Sequence, residues 1–150
     1  MKKNNNKGFT LVELIVVLVI LAILAAILVP ALLGYIDRAR EKQVTTNAEA
    51  ALVAAQGKMA DAYKDFSDPA GFVTEAEIKD LTEISEDFTA YYVAKAYNSS
   101  SIDKAMYKIT VFAYYSDAQK QTAVWDSTNG QWKVTPGDTA KDLANGIEIK

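Results

Sequence analysis

A single carboxylate stands at the head of the most apolar stretch of this 150-residue chain. Glu13 is followed by sixteen uninterrupted Leu, Ile, Val and Ala residues from Leu14 to Val29. A carboxylate in a membrane helix costs about 2.5 to 3.5 kcal/mol at the bilayer centre and less toward the interface, so a retained one calls for a role and a partner. No Lys or Arg occurs between Gly8 and Arg38, so the stretch supplies no cation of its own. Two readings follow. Glu13 is an interfacial acid stabilised by the positive end of the helix dipole, or it takes a cation from elsewhere. Cys and His are both absent, which excludes a disulfide, a thiolate nucleophile, an imidazole base and a Cys/His zinc site. No nucleophile–base pair or metal-ligand cluster is visible, so the chain reads as no enzyme, with no cofactor and no metal.

The elements around Glu13 point to a membrane. Tolerating Thr10, Glu13 and Pro30 extends the apolar segment from Phe9 to Leu33, and its twenty-five residues span roughly 37 Å as a helix. A hydrocarbon core is about 30 Å thick. A helix apolar on every face is buried in a large core or lies in lipid. Lys2, Lys3 and Lys7 precede the run with no acid among them, so the N-terminus is expected in the cytoplasm and the rest outside. A secretory signal has a shorter apolar region and a small-residue cleavage site. Here the run passes at Pro30 to Gly34 straight into a charged helical pattern.

Lys7-Gly8-Phe9-Thr10-Leu11-Val12-Glu13-Leu14-Ile15 resembles the class III signal of type IV prepilins and pseudopilins: a short basic leader, Gly, Phe, and Glu four residues after Phe. The resemblance covers the first third of the chain. It implies that a prepilin peptidase cuts between Gly8 and Phe9 and that the new amino group of Phe9 is methylated. That cationic terminus, on a neighbouring subunit, is then the partner of Glu13. Two opposite charges attract strongly in a low-dielectric medium, whereas each alone bears a desolvation penalty of several kcal/mol, so a subunit entering in register is favoured. Gly8 suits close approach by a peptidase because it has no side chain. The type IV pilin fold is implied as well: an α+β arrangement with a long N-terminal helix, membrane-spanning in its first half and amphipathic in its second, packed on a small antiparallel sheet.

The organisation expected is a cleaved leader (1–8), a hydrophobic transmembrane and filament-core helix (9–33), its amphipathic continuation (34–66), a linker region with a short helix (67–106), and a sheet with a C-terminal tail (107–150). Ile36, Val44, Ala48, Leu52, Ala55, Met59, Ala62, Tyr63 and Phe66 recur at helical spacings, and Ser67-Asp68-Pro69 ends the pattern. Pro30 and Gly34 predict a kink between Val29 and Leu33, a place where the helix can lose order in a filament. Thr74-Glu75-Ala76-Glu77 has the form of a capping box opening a short helix. Phe88 to Tyr97 fits a strand by composition and a helix by spacing, with strand preferred. Tyr107 to Tyr115, Gln121 to Trp125 and Gln131 to Thr135 form a meander of at least three strands, with Trp125 and Trp132 placed to pair across the last turn. The turn Asp126 to Gly130 gathers oxygen donors, but one carboxylate is too few for a calcium cage. The tail adds a helical turn over Thr139 to Leu143 and a short strand at Ile147 and Glu148.

Sixteen basic residues stand against nineteen acidic, for a net charge of −3; loss of the three leader lysines leaves 13 against 19, or −6. An acidic chain matches nucleic-acid phosphates poorly, so no direct nucleic-acid binding is expected. The resemblance implies a structural subunit of a type IV pilus, used for adhesion, surface motility or biofilm formation. Its partners are further copies in a helical filament, the peptidase and the assembly machinery, with the membrane holding the precursor before the filament reaches the cell surface. A pseudopilin of a type II secretion system or a competence pilin for DNA uptake is the alternative. The missing C-terminal disulfide loop, present in many pilins of Gram-negative bacteria, hints at a Gram-positive or anaerobic source.

Overall fold

The computed structural model describes residues 8–150, so the leader stretch 1–7 with Lys2, Lys3 and Lys7 lies outside the described residues. The chain divides into two compact units, one up to Ala39 and one from Arg40 to Lys150. Helix α1 (Leu11–Lys64) contributes to both.

From Leu14 to Leu33 in the first unit α1 is apolar on every face. Every large apolar side chain from Leu11 to Leu33 is at least 50% exposed. The helix continues through Pro30 and Gly34, although Pro30 has no N–H to offer the carbonyl four residues earlier.

In the second unit α1 buries one stripe: Val44, Ala48, Ala51, Leu52, Ala55, Met59 and Ala62. The small residues in it let the helix lie close to what it covers. The helix ends in a Schellman motif, in which Ser67 N–H donates to the Ala62 carbonyl at 3.0 Å and Phe66 N–H to the Tyr63 carbonyl at 3.2 Å. The left-handed position of this motif, usually glycine, is held by Phe66 at φ 50°. Its ring lies edge-on to Tyr63 with centroids 5.7 Å apart, and the Tyr97 hydroxyl donates to its carbonyl at 2.7 Å.

Five antiparallel strands follow: β1 (Phe88–Val93), β2 (Val111–Ser116), β3 (Gln121–Asp126), β4 (Gln131–Pro136) and β5 (Ile147–Ile149). Their spatial order is β4-β3-β2-β1-β5. Alternation sends Phe88, Ala90, Tyr92, Phe112, Tyr114, Ala123 and Ile149 to one face, where they form a single core with the buried stripe of α1. Trp125 and Trp132 stand directly opposite each other across the β3–β4 turn and pack against this core. The turn is held by Asp126, which accepts from Thr128 N–H at 2.7 Å, and by Asn129, which accepts from Gln131 N–H at 3.0 Å. The capping box at Thr74 opens helix α2 (Glu75–Leu81), with Thr74 Oγ1 accepting from Glu77 N–H. The Glu77 carboxylate meets Lys58 of α1 at 2.9 Å instead of returning to Thr74.

One departure from the sequence expectation has a local cause. The stretch from Tyr107 opens as a strand only at Val111, because Asp103 accepts from Ala105 N–H and caps a 3-10 turn over Lys104–Tyr107. The tail holds the expected helical turn, over Ala140–Asp142, and the expected terminal strand β5. Ala113 and Thr122 are small and lie on the outer sheet face, and the segment after β4 folds down on them. Thr122 Oγ1 donates to the Gly137 carbonyl at 2.6 Å and accepts from Thr139 N–H at 3.0 Å, while Ala140 is fully buried.

One polar cluster ties α1 to the sheet. The Glu86 carboxylate accepts from Asn47 Nδ2 at 2.7 Å, the Tyr114 hydroxyl at 2.9 Å and Ser116 Oγ at 2.8 Å. Tyr114 and Ser116 are fully buried.

Candidate functional site

The residues singled out from the sequence gather at the start of α1. Glu13 occupies the third position of the helix and closes a capping box with Thr10. Thr10 N–H donates to Glu13 Oε2 at 2.8 Å, Thr10 Oγ1 donates to the same oxygen at 2.7 Å, and Glu13 N–H approaches Thr10 Oγ1 at 3.3 Å. The reciprocal pattern satisfies amide groups that a helix start leaves without intrahelical partners. It also sets a negative charge on the positive end of the helix dipole. Glu13 Oε1 has no partner among the described residues, so one oxygen of the carboxylate is committed to the helix and the other is available.

Thr10 is the residue of this helix start that the sequence reading passed over. Its signal was present: Thr-x-x-Glu immediately before an apolar run, the same pattern that marks Thr74 to Glu77. The apolar character of the helix drew attention to the charge on Glu13 rather than to its spacing from Thr10.

Gly8 and Phe9 precede the cap. A Cβ placed on Gly8 would meet nothing within 4 Å, and Phe9 is 81% exposed. Among the described residues no packing accounts for either residue type. Farther along α1, Pro30, Ala31, Gly34, Tyr35 and Arg38 surround a shallow notch. A Cβ on Gly34 would likewise meet no atom within 4 Å, and the Arg38 guanidinium lies 5.9 Å from the Tyr35 ring centroid.

Residues 3–29 match the family described as the prokaryotic N-terminal methylation motif. The matched span contains the Gly8-Phe9 step, the Thr10–Glu13 cap and the apolar run. A curated relative, the type IV major pilin protein PilA of Myxococcus xanthus, is 38% identical over 72 residues, which are 47% of this chain and 33% of that protein. Over the matched residues the chain is similar to a type IV pilin. The match spans about a third of that relative's length. No solved structure matches the chain. The arrangement is that expected of a pilin-like protein: an apolar N-terminal helix whose second half packs against a five-stranded antiparallel sheet. The motif and the apolar helix together fit a membrane-anchored precursor.

Proposed function

We propose that the chain is a structural subunit of a type IV pilus, made as a membrane-held precursor and then packed with other copies into a surface filament. The observation that carries this reading is the helix start, where a methylation motif, a capped Glu13 with one free oxygen and a fully apolar stem coincide. Prepilin peptidase cleaves the Gly8–Phe9 bond on the cytoplasmic side, and the amino group of Phe9 is methylated. Glu13 then acts in two ways at once. Oε2 holds the helix start through Thr10, and Oε1 accepts the cationic Phe9 terminus of the adjacent subunit. The apolar faces exposed on the isolated stem become the filament core, and the segment from Pro30 to Gly34 is the place where the stem yields under tension.

A filament of such subunits serves adhesion, surface motility or biofilm formation. The lack of cysteine supports a Gram-positive source. The experiment that tests the reading is mass spectrometry of filaments sheared from the producing cell. This chain, shortened by its first eight residues and methylated at Phe9, is expected as their main component. Its rarity in the filaments would overturn the assignment as a major subunit and leave the pseudopilin or competence role.

A further inference from the structure

The second unit carries an apolar surface that its own core does not use. Val53 on α1 is 68% exposed and Leu81 at the end of α2 is 56% exposed. Both line a groove of about 540 Å³ together with Ala50, Ile84 and Glu83, and with Thr46, Asn47 and Thr82 at its polar side. Among the described residues Glu83 has no cationic partner. The first unit carries a matching feature, since the notch around Gly34 is walled by Pro30, Ala31 and Tyr35 and offers one guanidinium, Arg38. Arg38 has no acidic partner among the described residues. Gly34 sits inside a helix, where glycine is less favourable than alanine by about 1 kcal/mol. Open space around it shows that nothing among the described residues demands glycine there.

We propose that the groove at Val53 and Leu81 is the docking site for the segment Pro30–Arg38 of a second copy of this chain. Two features argue for that occupant. The exposed Val53 and Leu81 side chains, with Glu83 beside them, meet an apolar notch with Arg38 at its edge, so apolar surface faces apolar surface and the charges are complementary. The second feature is Gly34, whose missing side chain admits a neighbour close to the helix backbone, as small residues do where helices pack. Leu81 enters the notch beside Gly34, and Glu83 pairs with Arg38 across the contact. The contact is heterologous, joining different surfaces of two copies, so it propagates from copy to copy into a filament.

The inference rests on the pilus reading above and deepens it by naming where one subunit grips the next. The test uses the full chain in the producing cell, with the variants Glu83→Arg, Arg38→Glu and the double reversal. Each single reversal sets like charges against each other and is expected to lower sheared filament yield at least fivefold, with the double variant returning to within twofold of the parent. The chain lacks cysteine, so Leu81→Cys combined with Gly34→Cys adds a clean readout, a ladder of disulfide-linked multimers in oxidised filaments. If the parent filaments contain this chain but the single reversals leave yield unchanged, or the double reversal fails to restore it, or no multimers form, the docking site is wrong and the pilus reading stands. If the parent filaments lack this chain, both fall.

Discussion

Replacing Glu86 with alanine should weaken the second unit more than any surface substitution of similar size. Its carboxylate takes three hydrogen bonds, from Asn47 on α1 and from Tyr114 and Ser116 on β2. Asn47 is half-buried and can turn to water. The Tyr114 and Ser116 hydroxyls are fully buried and lose the acceptor they donate to, at about 1–3 kcal/mol each. Water entering the space left by the side chain offsets part of this, so about 2–4 kcal/mol is expected. For a unit of this size that lowers Tm by roughly 8–16 °C. Glu86→Gln keeps an oxygen for Asn47 and Tyr114 and should lose only about 1 kcal/mol, the charge-assisted share of the bonds. The assay is urea unfolding of the full chain in detergent, followed by the emission of Trp125 and Trp132, both packed against the core of this unit. Tyr114→Phe supplies the cycle: with the hydroxyl gone, Glu86→Ala should cost at least 1 kcal/mol less than in the parent. A Glu86→Ala effect under 0.5 kcal/mol, or strict additivity in the cycle, would refute the reasoning.

Gly8→Val should leave the uncut chain in the membrane, and a protein eight residues shorter in that variant would remove the cleavage assignment. Glu13→Gln keeps an acceptor for Thr10 but no charge, so processing at Gly8 should proceed while filament growth falls sharply; normal piliation would exclude the ion pair. The hydroxyl of Tyr92 is buried without a partner among the described residues, and burial, with the nearby Asp68, pushes its pKa up from 10.0 to about 12. The folded state therefore favours the neutral phenol. That contribution is fully present below pH 10 and is lost as pH rises through 12, and Tyr92→Phe should flatten the alkaline loss without lowering stability at pH 7, as read by denaturant titration at each pH. At the left-handed Phe66, Phe66→Gly should change stability by under 1 kcal/mol, because relief of the backbone offsets the lost contact with Tyr63. Phe66→Val loses that contact and keeps the strain, so it should unfold at clearly lower urea than Phe66→Gly.

Local patterns in the sequence led to most of this architecture. The helical spacing of Val44, Ala48, Leu52, Ala55 and Met59 identified the buried stripe, because a helix packed on one side records that side in its period. The β3–β4 hairpin was equally legible, since turn residues fix register and set Trp125 opposite Trp132. What depends on distant partners was not. Nothing around Glu86 announces that Asn47, thirty-nine positions earlier, donates to it, and the ordering of the tail on Thr122 depends on β3 having small residues at one face. Phe66 illustrates a third limit, as an aromatic residue in a position where glycine is the usual signal. At the candidate site Gly8, Phe9 and Glu13 stood out by type, whereas the role of Thr10 lay in a three-residue spacing.

The strand order has a consequence in time. Synthesis runs from β1 to β5, and β1 can pair with β2 once residue 116 has emerged, but its other edge is claimed only by Ile147–Ile149. At about 5–20 residues per second the intervening stretch takes about 2–7 s. During that interval β1 offers an open row of amides and carbonyls, with Ala90 and Tyr92 beside it still lacking Ile149. An unpaired edge of this kind invites a strand from another chain. A crowded row of nascent subunits is therefore most vulnerable to wrong pairing just before each becomes fit to assemble, and the three residues of β5 close that window.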